Sequence, residues 1–225
     1  NELTTVTIPP ATEEEINDTI KVMGGEDWML WMEALQEADV LADGAKTVAY
    51  SYIGPELTYP IYYDGSIGQA KQDLYRTADK INEHIQGTEA YVAVNKAVVT
   101  QSSSAIPIVP LYISILFKVM KELNLHEGCI EQMYRLVHDR LCVEGGVPTD
   151  ENHLIRMDDY EMKPEVQEKV KKIWEKISPE NLSELTDIDG YWQEFYEIFG
   201  FRIEGVDYDA DVNIQTSIPS IISAE

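Results

Sequence analysis

Two short apolar runs separated by a long helical stretch constrain the fold of this chain more than any other feature. The runs are TVAYSYI at residues 47–53 and AYVAVN at residues 90–95, and both are rich in β-prone residues. Between them, Gly65 and Ser66 open a helix that ends near Ile85, with Ser66 as the candidate N-cap. Because continuous apolar strands joined through a helix are typical of parallel sheets buried on both faces, the sequence predicts an α/β fold.

The remainder of the chain is predicted to be mostly helical. Residues 1–11 are rich in Thr and Pro and are expected to form an arm or linker. Thr12 is the candidate N-cap of a helix that runs to about Met23, and a second helix starts near Glu26. Further elements are predicted as helices over 110–123, 126–142, 163–177 and 188–199 and as a short strand over 201–207.

Charge and cysteine content narrow the classes of function. The chain has 225 residues and a formal net charge of −24, which disfavours binding to phosphate backbones or anionic lipid. We expect the acidic residues to lie on outer helices such as 163–177 rather than along a binding cleft. Cys129 and Cys142 would lie about 20 Å apart on one helix, so they cannot pair. Unpaired cysteines fit a reducing compartment, and we expect a cytoplasmic protein.

Sequence signatures of metal and phosphate sites fail on inspection. The acidic run that starts at Asp207 resembles a calcium loop, but Val212 stands where Gly is needed and Ile218 where Glu is needed. His126 and Cys129 have no second Cys/His pair to complete a metal site. The sequence also lacks a P-loop and a GxGxxG fingerprint. We therefore predict no metal cofactor.

The segment 51–71 holds the residues best suited to chemistry. It follows the carboxyl end of a predicted parallel strand, where open α/β sheets bind ligands. It contains Tyr52, Tyr59, Tyr62 and Tyr63, followed by Lys71. An ammonium beside a phenol favours the phenolate and orients the phenol, so such a pair can donate a proton to a developing enolate oxygen. The alternative is that these tyrosines only pack against the sheet edge, and the residues alone leave both interpretations open.

The spacing of tyrosine and lysine is a weak signal without its context. Pairs nine residues apart occur at Tyr62–Lys71, Tyr112–Lys121 and Tyr160–Lys169. About 0.7 such pairs are expected by chance. Two residues nine apart on one helix point in nearly opposite directions, which disfavours the second and third pairs. Tyr62 is predicted to lie on a loop, where it can turn toward Lys71 in the following helix.

A set of longer motifs resembles a known family. The motifs are KVMGGEDW, AYSYIGPE, YYDGSIGQAK, VNKAVVTQSSSAIPIVPLY, LFKVMK and HEGCIEQ. Together they resemble the trans-2-enoyl-CoA reductases, which are similar to the FabV-type enoyl-acyl-carrier-protein reductases, and the resemblance runs from Lys21 to about Asp209. It implies the C-terminal part of an extended short-chain-dehydrogenase-like Rossmann fold, with parallel strands and many helices. It also implies a monomer that reduces the C2–C3 double bond of 2-enoyl-CoA thioesters with NADH in fatty acid or butyrate-type metabolism.

The resemblance assigns roles to individual residues. Tyr62 would donate a proton or hydrogen bond to the thioester carbonyl, and Lys71 would hold the nicotinamide ribose and tune Tyr62. The substrate would be bound by Tyr52, Val98, Val99 and Phe117. The cofactor would be bound by Lys71, Thr100, Gln101 and Ser102. Physical chemistry agrees with these roles, because hydride arriving at C3 builds negative charge on the thioester oxygen.

Length is the main departure from the family, whose members are roughly twice as long by resemblance. We therefore expect the catalytic part at residues 12–142, a mostly helical extension at 143–225, and a partner role for an N-terminal nucleotide-binding half that these residues do not contain. The fragment is expected to be inactive without that half. Two alternatives remain: an enoyl-acyl-carrier-protein reductase, which the acidic surface disfavours because carrier proteins are usually acidic, and a non-catalytic acidic interaction module.

Overall fold

The computed structural model describes residues 3–213 and contains a three-stranded parallel sheet. Strands β1 (Ala45–Ser51), β2 (Thr88–Val94) and β3 (Leu154–Arg156) follow the order β1-β2-β3. In the β1–β2 ladder, Ala45 faces Thr88 and Ser51 faces Val94. The predicted βαβ unit and parallel pairing are confirmed. The third strand was not predicted, because three residues are too few for a periodic pattern.

Burial differs between the two predicted strands. β2 is buried along most of its length, as the apolar run indicates. β1 is not, since Tyr50 is 55% exposed and most of the strand is only half-buried. The prediction that both strands are buried on both faces is therefore wrong for β1. The reason lies in the topology, because β1 pairs only with β2 within residues 3–213 and its other edge is open.

Helices are the main secondary structure of the described residues. Their bounds are α1 (Glu13–Met23), α2 (Glu26–Glu37), α3 (Tyr59–Tyr62), α4 (Ser66–His84), α5 (Val109–Glu122), α6 (Cys129–Leu136), α7 (Pro164–Trp174), α8 (Leu182–Leu185) and α9 (Ile188–Ile198). A π-helical turn, Val137–Leu141, continues α6. Thr12 caps α1, as predicted, and it forms a reciprocal capping box with Glu15. α4 begins one residue earlier than an N-cap at Ser66 would place it, because Gly65 rather than Ser66 is its N-cap.

The predicted strand over 201–207 does not form. The backbone takes positive φ angles at Gly200, Arg202 and Gly205, which interrupts any extended run. Residues 3–11 contain neither helix nor strand. None of the helices in residues 3–213 combines the length and apolar content that crossing a bilayer requires. Cys129 and Cys142 are both free and exposed.

The core is organised around α5. Its buried face, which includes Ile115, Leu116 and Phe117, packs together with α7 and α9. A second apolar cluster joins α4 and β2 to α2. Because β1 and β2 are parallel, their carboxyl ends lie at the same edge of the sheet. The segments that follow them, 52–65 and 95–108, therefore meet beside the start of α5.

Candidate active site

A cleft of about 360 Å³ opens at the carboxyl ends of β1 and β2. Its walls come from the segments after both strands and from the starts of α4 and α5. The lining residues are Met23, Tyr50, Ser51, Tyr52, Thr58, Tyr62, Ile67, Lys71, Asn95, Lys96, Ala97, Val98, Thr100, Ser102, Ser103, Ile106, Val109, Tyr112 and Ile113. This lining contains two lysines but no carboxylate. The expectation that the acidic residues avoid the cleft is thus confirmed for its lining.

Tyr62 ends the short helix α3 rather than lying on an open loop as predicted. Its ring meets the Tyr52 ring edge to face, with centroids 4.8 Å apart. The position of α3 depends on Gly68 in α4, because a Cβ built there would lie 2.0 Å from the carbonyl oxygen of Tyr63. Only glycine lets α4 approach the preceding turn this closely. The GSIG segment therefore places Tyr62 at the cleft by close packing of backbone.

The hydroxyl group of Tyr62 is a free donor at the cleft wall. It makes no hydrogen bond within residues 3–213, whereas the Tyr52 hydroxyl donates to Glu161 at 2.9 Å. Burial, with a smaller contribution from the neighbouring Tyr191, raises the pKa of Tyr62 to about 12. Tyr62 is therefore protonated across the neutral range. A neutral, unengaged phenol can donate to an oxygen on which negative charge develops.

Lys71 lines the same cleft but does not contact Tyr62 through a hydrogen bond. Its ammonium group donates to the Tyr50 carbonyl at 3.3 Å. Burial lowers the pKa of Lys71. The raised pKa of Tyr62 also contrasts with the expected effect of a close ammonium, which would favour the phenolate. The structure thus brings Tyr62 and Lys71 to one cleft, with Lys71 directed to the strand end.

Tyr52 is held by a buried polar network that the sequence did not reveal. Tyr52 and the buried Tyr112 both donate to Oε1 of Glu161, at 2.9 and 2.6 Å. The backbone N–H of Ala97 donates to Oε2 at 2.7 Å. Glu161 is fully buried in the turn before α7. It lies 109 residues from Tyr52 in sequence, so no local spacing could have indicated the contact.

A glycine in an unusual conformation makes room for Tyr52. Gly54 has φ +73°, in the left-handed region that side chains disfavour. A Cβ built there would lie 2.3 Å from Oγ1 of Thr58 and 2.7 Å from the Tyr52 hydroxyl. Gly54 in the sequence YIGPE is thus required both by the turn and by the tyrosine.

The predicted substrate residues separate into two groups. Val98 is half-buried and lines the cleft. Val99 and Phe117 do not line it, because both are buried in the core around α5. The Phe117 ring packs edge to face against His126 at 4.7 Å and has the Lys96 ammonium 5.4 Å from its centroid. Phe117 therefore lies behind the cleft wall, next to a lysine that forms part of it.

Three of the four predicted cofactor residues lie on one tight turn after β2. Thr100, Gln101 and Ser102 are exposed, and Thr100 and Ser102 line the cleft. Buried Ser103 fixes the turn, since its backbone and side chain exchange hydrogen bonds with Thr100 at 3.1 Å. Its hydroxyl also lies 3.1 Å from the Tyr191 hydroxyl. The three residues are thus presented to solvent on an ordered turn.

Backbone strain marks the entry to α5. Ile108, the residue before the helix, has φ +65°. A β-branched side chain in this region is a genuine outlier, and such strain clusters at ligand sites. The cleft residues Ile106 and Val109 stand on either side of it.

Comparison with known proteins identifies the family of this chain. The family model described as the trans-2-enoyl-CoA reductase catalytic region matches residues 1–142. The chain belongs to the trans-2-enoyl-CoA reductase family. The predicted resemblance is therefore confirmed, and the cleft with Tyr62 and Lys71 lies wholly within the matched region.

Relatives extend the match over almost the whole chain. A trans-2-enoyl-CoA reductase [NADH] of Ruminiclostridium cellulolyticum is 56% identical over 96% of this chain and 55% of its own length. An enoyl-[acyl-carrier-protein] reductase [NADH] of Coxiella burnetii is 52% identical over 98% of this chain and 55% of its own length. The chain thus spans about half the length of the curated relatives it matches.

A solved structure of a relative has the same fold as this chain. The crystal structure of Treponema denticola trans-2-enoyl-CoA reductase in complex with NAD superposes with a TM-score of 0.91 and 47% sequence identity. The match covers 94% of this chain and 53% of that one. The predicted class, an α/β fold with parallel strands and many helices in the C-terminal part of a Rossmann-type reductase, is confirmed.

The residues that a flavin-binding family model matches do not line the cleft. A second family model, the enoyl reductase FAD binding domain, matches residues 149–212. The described apolar side chains of this segment, such as Val166, Val170 and Tyr191, are packed into the core against α5, and no residue of the segment lines the cleft. An ammonium group and two hydroxyl-bearing side chains, those of Lys71, Thr100 and Ser102, line the apolar cleft, where they can hold polar groups of a ligand.

Proposed function

We propose that this chain is the substrate-binding and catalytic part of an NADH-dependent trans-2-enoyl-CoA reductase. The reaction is reduction of the C2–C3 double bond of a 2-enoyl-CoA thioester, such as crotonyl-CoA to butyryl-CoA, in fatty acid or butyrate-type metabolism. One observation carries the proposal. The Tyr62 hydroxyl is protonated, without a hydrogen-bond partner in residues 3–213, and placed in an apolar cleft that also holds Lys71.

Tyr62 stabilises the charge that the reaction creates. NADH, when bound, supplies the hydride that adds to C3 of the substrate. The electron pair of the double bond then moves toward the thioester oxygen, and the Tyr62 hydroxyl donates to that oxygen. A proton from solvent finally reaches C2, so that one hydride and one proton are added in total. Because the cleft walls are largely apolar, the hydrogen bond from Tyr62 acts in a medium of low dielectric constant, where it is strongest.

The remaining site residues bind and orient. We assign Lys71, Thr100, Gln101 and Ser102 to the nicotinamide ribose end of NADH. Tyr52 and Val98 face the substrate directly. Val99 and Phe117 support the acyl side from behind, because both are buried in the core next to the cleft wall.

We further propose that these residues work with a preceding nucleotide-binding half. The open edge of β1 and the 55% coverage of relatives support this, because a Rossmann sheet continues beyond three strands. Residues 12–142 would then be the catalytic part and 143–225 the C-terminal extension. The complete protein is proposed to be a monomer. Its two exposed, unpaired cysteines are compatible with work in the cytoplasm.

A fusion protein tests the activity. The chain is joined to the upstream half of the Ruminiclostridium relative, and NADH oxidation is followed at its absorbance maximum in the presence of crotonyl-CoA. We expect thioester-dependent NADH oxidation by the fusion protein and none by the 225-residue chain alone. A folded fusion protein that leaves NADH unchanged with every enoyl-CoA tested would refute the proposal.

The acyl-carrier-protein thioester is the second candidate substrate, favoured by the 52% identity to the Coxiella enzyme. Comparing kcat/KM for the CoA and carrier-protein thioesters of one acyl chain decides between them. We expect the CoA thioester to be preferred, because the net charge of −24 repels an acidic carrier protein. A higher kcat/KM with the carrier protein would reverse this assignment.

A further inference from the structure

Glu161 is the most deeply buried carboxylate next to the proposed active site, and the mechanism above does not use it. It has no exposed surface, and three donors converge on it. They are the hydroxyl groups of Tyr52 and Tyr112 and the backbone N–H of Ala97. It therefore lies directly behind the cleft wall, because all three of these residues line the cleft.

Neighbouring groups fix the direction of these hydrogen bonds. The Gln167 side-chain amide donates to the Tyr112 hydroxyl at 3.3 Å and to the Glu161 backbone carbonyl at 2.7 Å. The Tyr112 proton is thereby directed to Glu161. The Ala97 N–H can only donate. An ionised carboxylate accepts on both oxygens, so the Tyr52 proton is directed to it as well.

A buried charge of this kind needs compensation, and Lys96 supplies it. Lys96 is 1% exposed, and its ammonium donates to the Ala97 carbonyl at 2.9 Å. Burial raises the pKa of Glu161, while the hydrogen bonds and the Lys96 charge oppose that shift. The Lys96 charge thus favours the ionised form of Glu161 from the other side of residue 97, without a direct ion pair between the two side chains in residues 3–213.

The two tyrosines of the aromatic pair differ as a result. The Tyr52 oxygen has committed its proton and presents only lone pairs to the cleft, whereas the Tyr62 hydroxyl is uncommitted. We propose that Glu161 is a positioning residue that decides which tyrosine donates to the substrate: by accepting the Tyr52 hydrogen bond, it leaves this role to Tyr62. The inference rests on the proposed function and adds that a residue outside the matched catalytic region controls its chemistry.

Replacing the carboxylate by an amide changes the direction of these bonds without changing shape. In Glu161→Gln, the amide oxygen is needed by the Ala97 N–H, so the amide NH₂ group faces Tyr52 and Tyr112. The Tyr52 oxygen then accepts, and its proton is free to turn into the cleft. The variant therefore creates a second possible donor next to Tyr62.

Combining this change with Tyr62→Phe gives effects of opposite sign. In the fusion protein with Tyr62 intact, Glu161→Gln lowers kcat/KM several-fold, because Tyr52 loses its anchor. With Tyr62→Phe, the same change raises kcat about tenfold, since Tyr52 recovers part of the roughly 10²–10³ that one oxyanion donor supplies. Glu165→Gln, at an exposed glutamate four residues away, changes neither. A rise in kcat that occurs only when Tyr62→Phe is present cannot come from loss of stability. A double variant with a kcat no higher than that of Tyr62→Phe would overturn the proposal.

NMR of the same fusion protein, labelled at the tyrosine Cζ carbons, tests the hydrogen bonds without turnover. In the unsubstituted protein, we expect slowly exchanging hydroxyl protons for Tyr52 and Tyr112 and none for Tyr62. Glu161→Gln should move the Cζ resonances of the first two and leave that of Tyr62 in place. A rapidly exchanging Tyr52 hydroxyl in the unsubstituted protein would overturn the proposal even if Glu161→Gln does not fold. Absence of all turnover with the predicted NMR pattern would refute the proposed function and support the hydrogen-bond arrangement.

Discussion

Tyr62→Phe removes one hydroxyl group that the folded chain does not use. Because that hydroxyl has no hydrogen-bond partner in residues 3–213, its loss should change the free energy of unfolding by less than about 0.5 kcal/mol. In the reaction, the same hydroxyl is the donor to the developing oxyanion. Losing one such donor lowers kcat by roughly 10²–10³, equivalent to about 2.7–4 kcal/mol of transition-state stabilisation. The prediction is thus a large kinetic loss with unchanged stability.

The assay follows NADH oxidation by the fusion protein at saturating crotonyl-CoA, together with urea unfolding of the same samples. Tyr63→Phe is the matched control, because Tyr63 is adjacent, 47% exposed and absent from the cleft lining. We expect Tyr63→Phe to retain kcat. A Tyr62→Phe variant with kcat within about threefold of the parent would refute the role of Tyr62 as donor, since a lost oxyanion donor has a far larger effect.

Tyr52→Phe should lower stability more, and kcat less, than Tyr62→Phe does. It takes away one of the hydrogen bonds to the buried Glu161 carboxylate, and hydrogen bonds to charged groups contribute about 1.5–3 kcal/mol. We therefore expect a clear loss of stability with a smaller loss of kcat than Tyr62→Phe shows. Equal unfolding midpoints for the two variants would contradict the difference in their hydrogen bonding.

Three further predictions follow from the cleft. Burial holds the pKa of Lys71 below its ordinary value of 10.5, whereas the pKa of Tyr62 is about 12, so Lys71 loses its charge first as pH rises. We therefore expect kcat/KM for NADH to fall on the alkaline side below pH 10.5, and this fall to move to higher pH in Lys71→Arg. An alkaline fall that stays in place in Lys71→Arg would belong to another group. Gly54→Ala should destabilise the chain more than Gly44→Ala. Both glycines have φ above +70°, but only at Gly54 would an added Cβ clash with Tyr52 and Thr58. Equal urea midpoints for the two variants would show that the structure relieves this clash. Val98→Phe should narrow the cleft and lower kcat/KM for long acyl chains more than for crotonyl-CoA; uniform loss would place the acyl chain elsewhere.

Sequence reasoning reached the parts of the structure that depend on local pattern. The apolar runs predicted β1 and β2 correctly. Tyr62 and Lys71 of YYDGSIGQAK both line the observed cleft. The N-cap at Thr12 was also predicted, since capping depends on residues close together in the sequence. Each of these features depends on residues that lie close together in the sequence.

Features that depend on distant contacts were missed. Strand β3 has only three residues and exists because it pairs with β2. Glu161 reaches Tyr52 across 109 residues, and the half-exposure of β1 follows from its place at the sheet edge. Val99 and Phe117 were predicted at the substrate, yet their burial in the core is decided by the packing of α5. The expected Tyr62–Lys71 contact is replaced by a bond from Lys71 to the Tyr50 carbonyl.

A crystal structure of the fusion protein with NAD⁺ and an enoyl-CoA tests the central claim most directly. We predict that the thioester carbonyl oxygen lies about 2.6–3.2 Å from the Tyr62 hydroxyl oxygen, the range for a productive hydrogen bond. We also predict that the nicotinamide ribose contacts Lys71 next to the turn at residues 100–102. A thioester bound with its carbonyl oxygen on Tyr52, or outside the cleft between β1 and β2, would contradict this account.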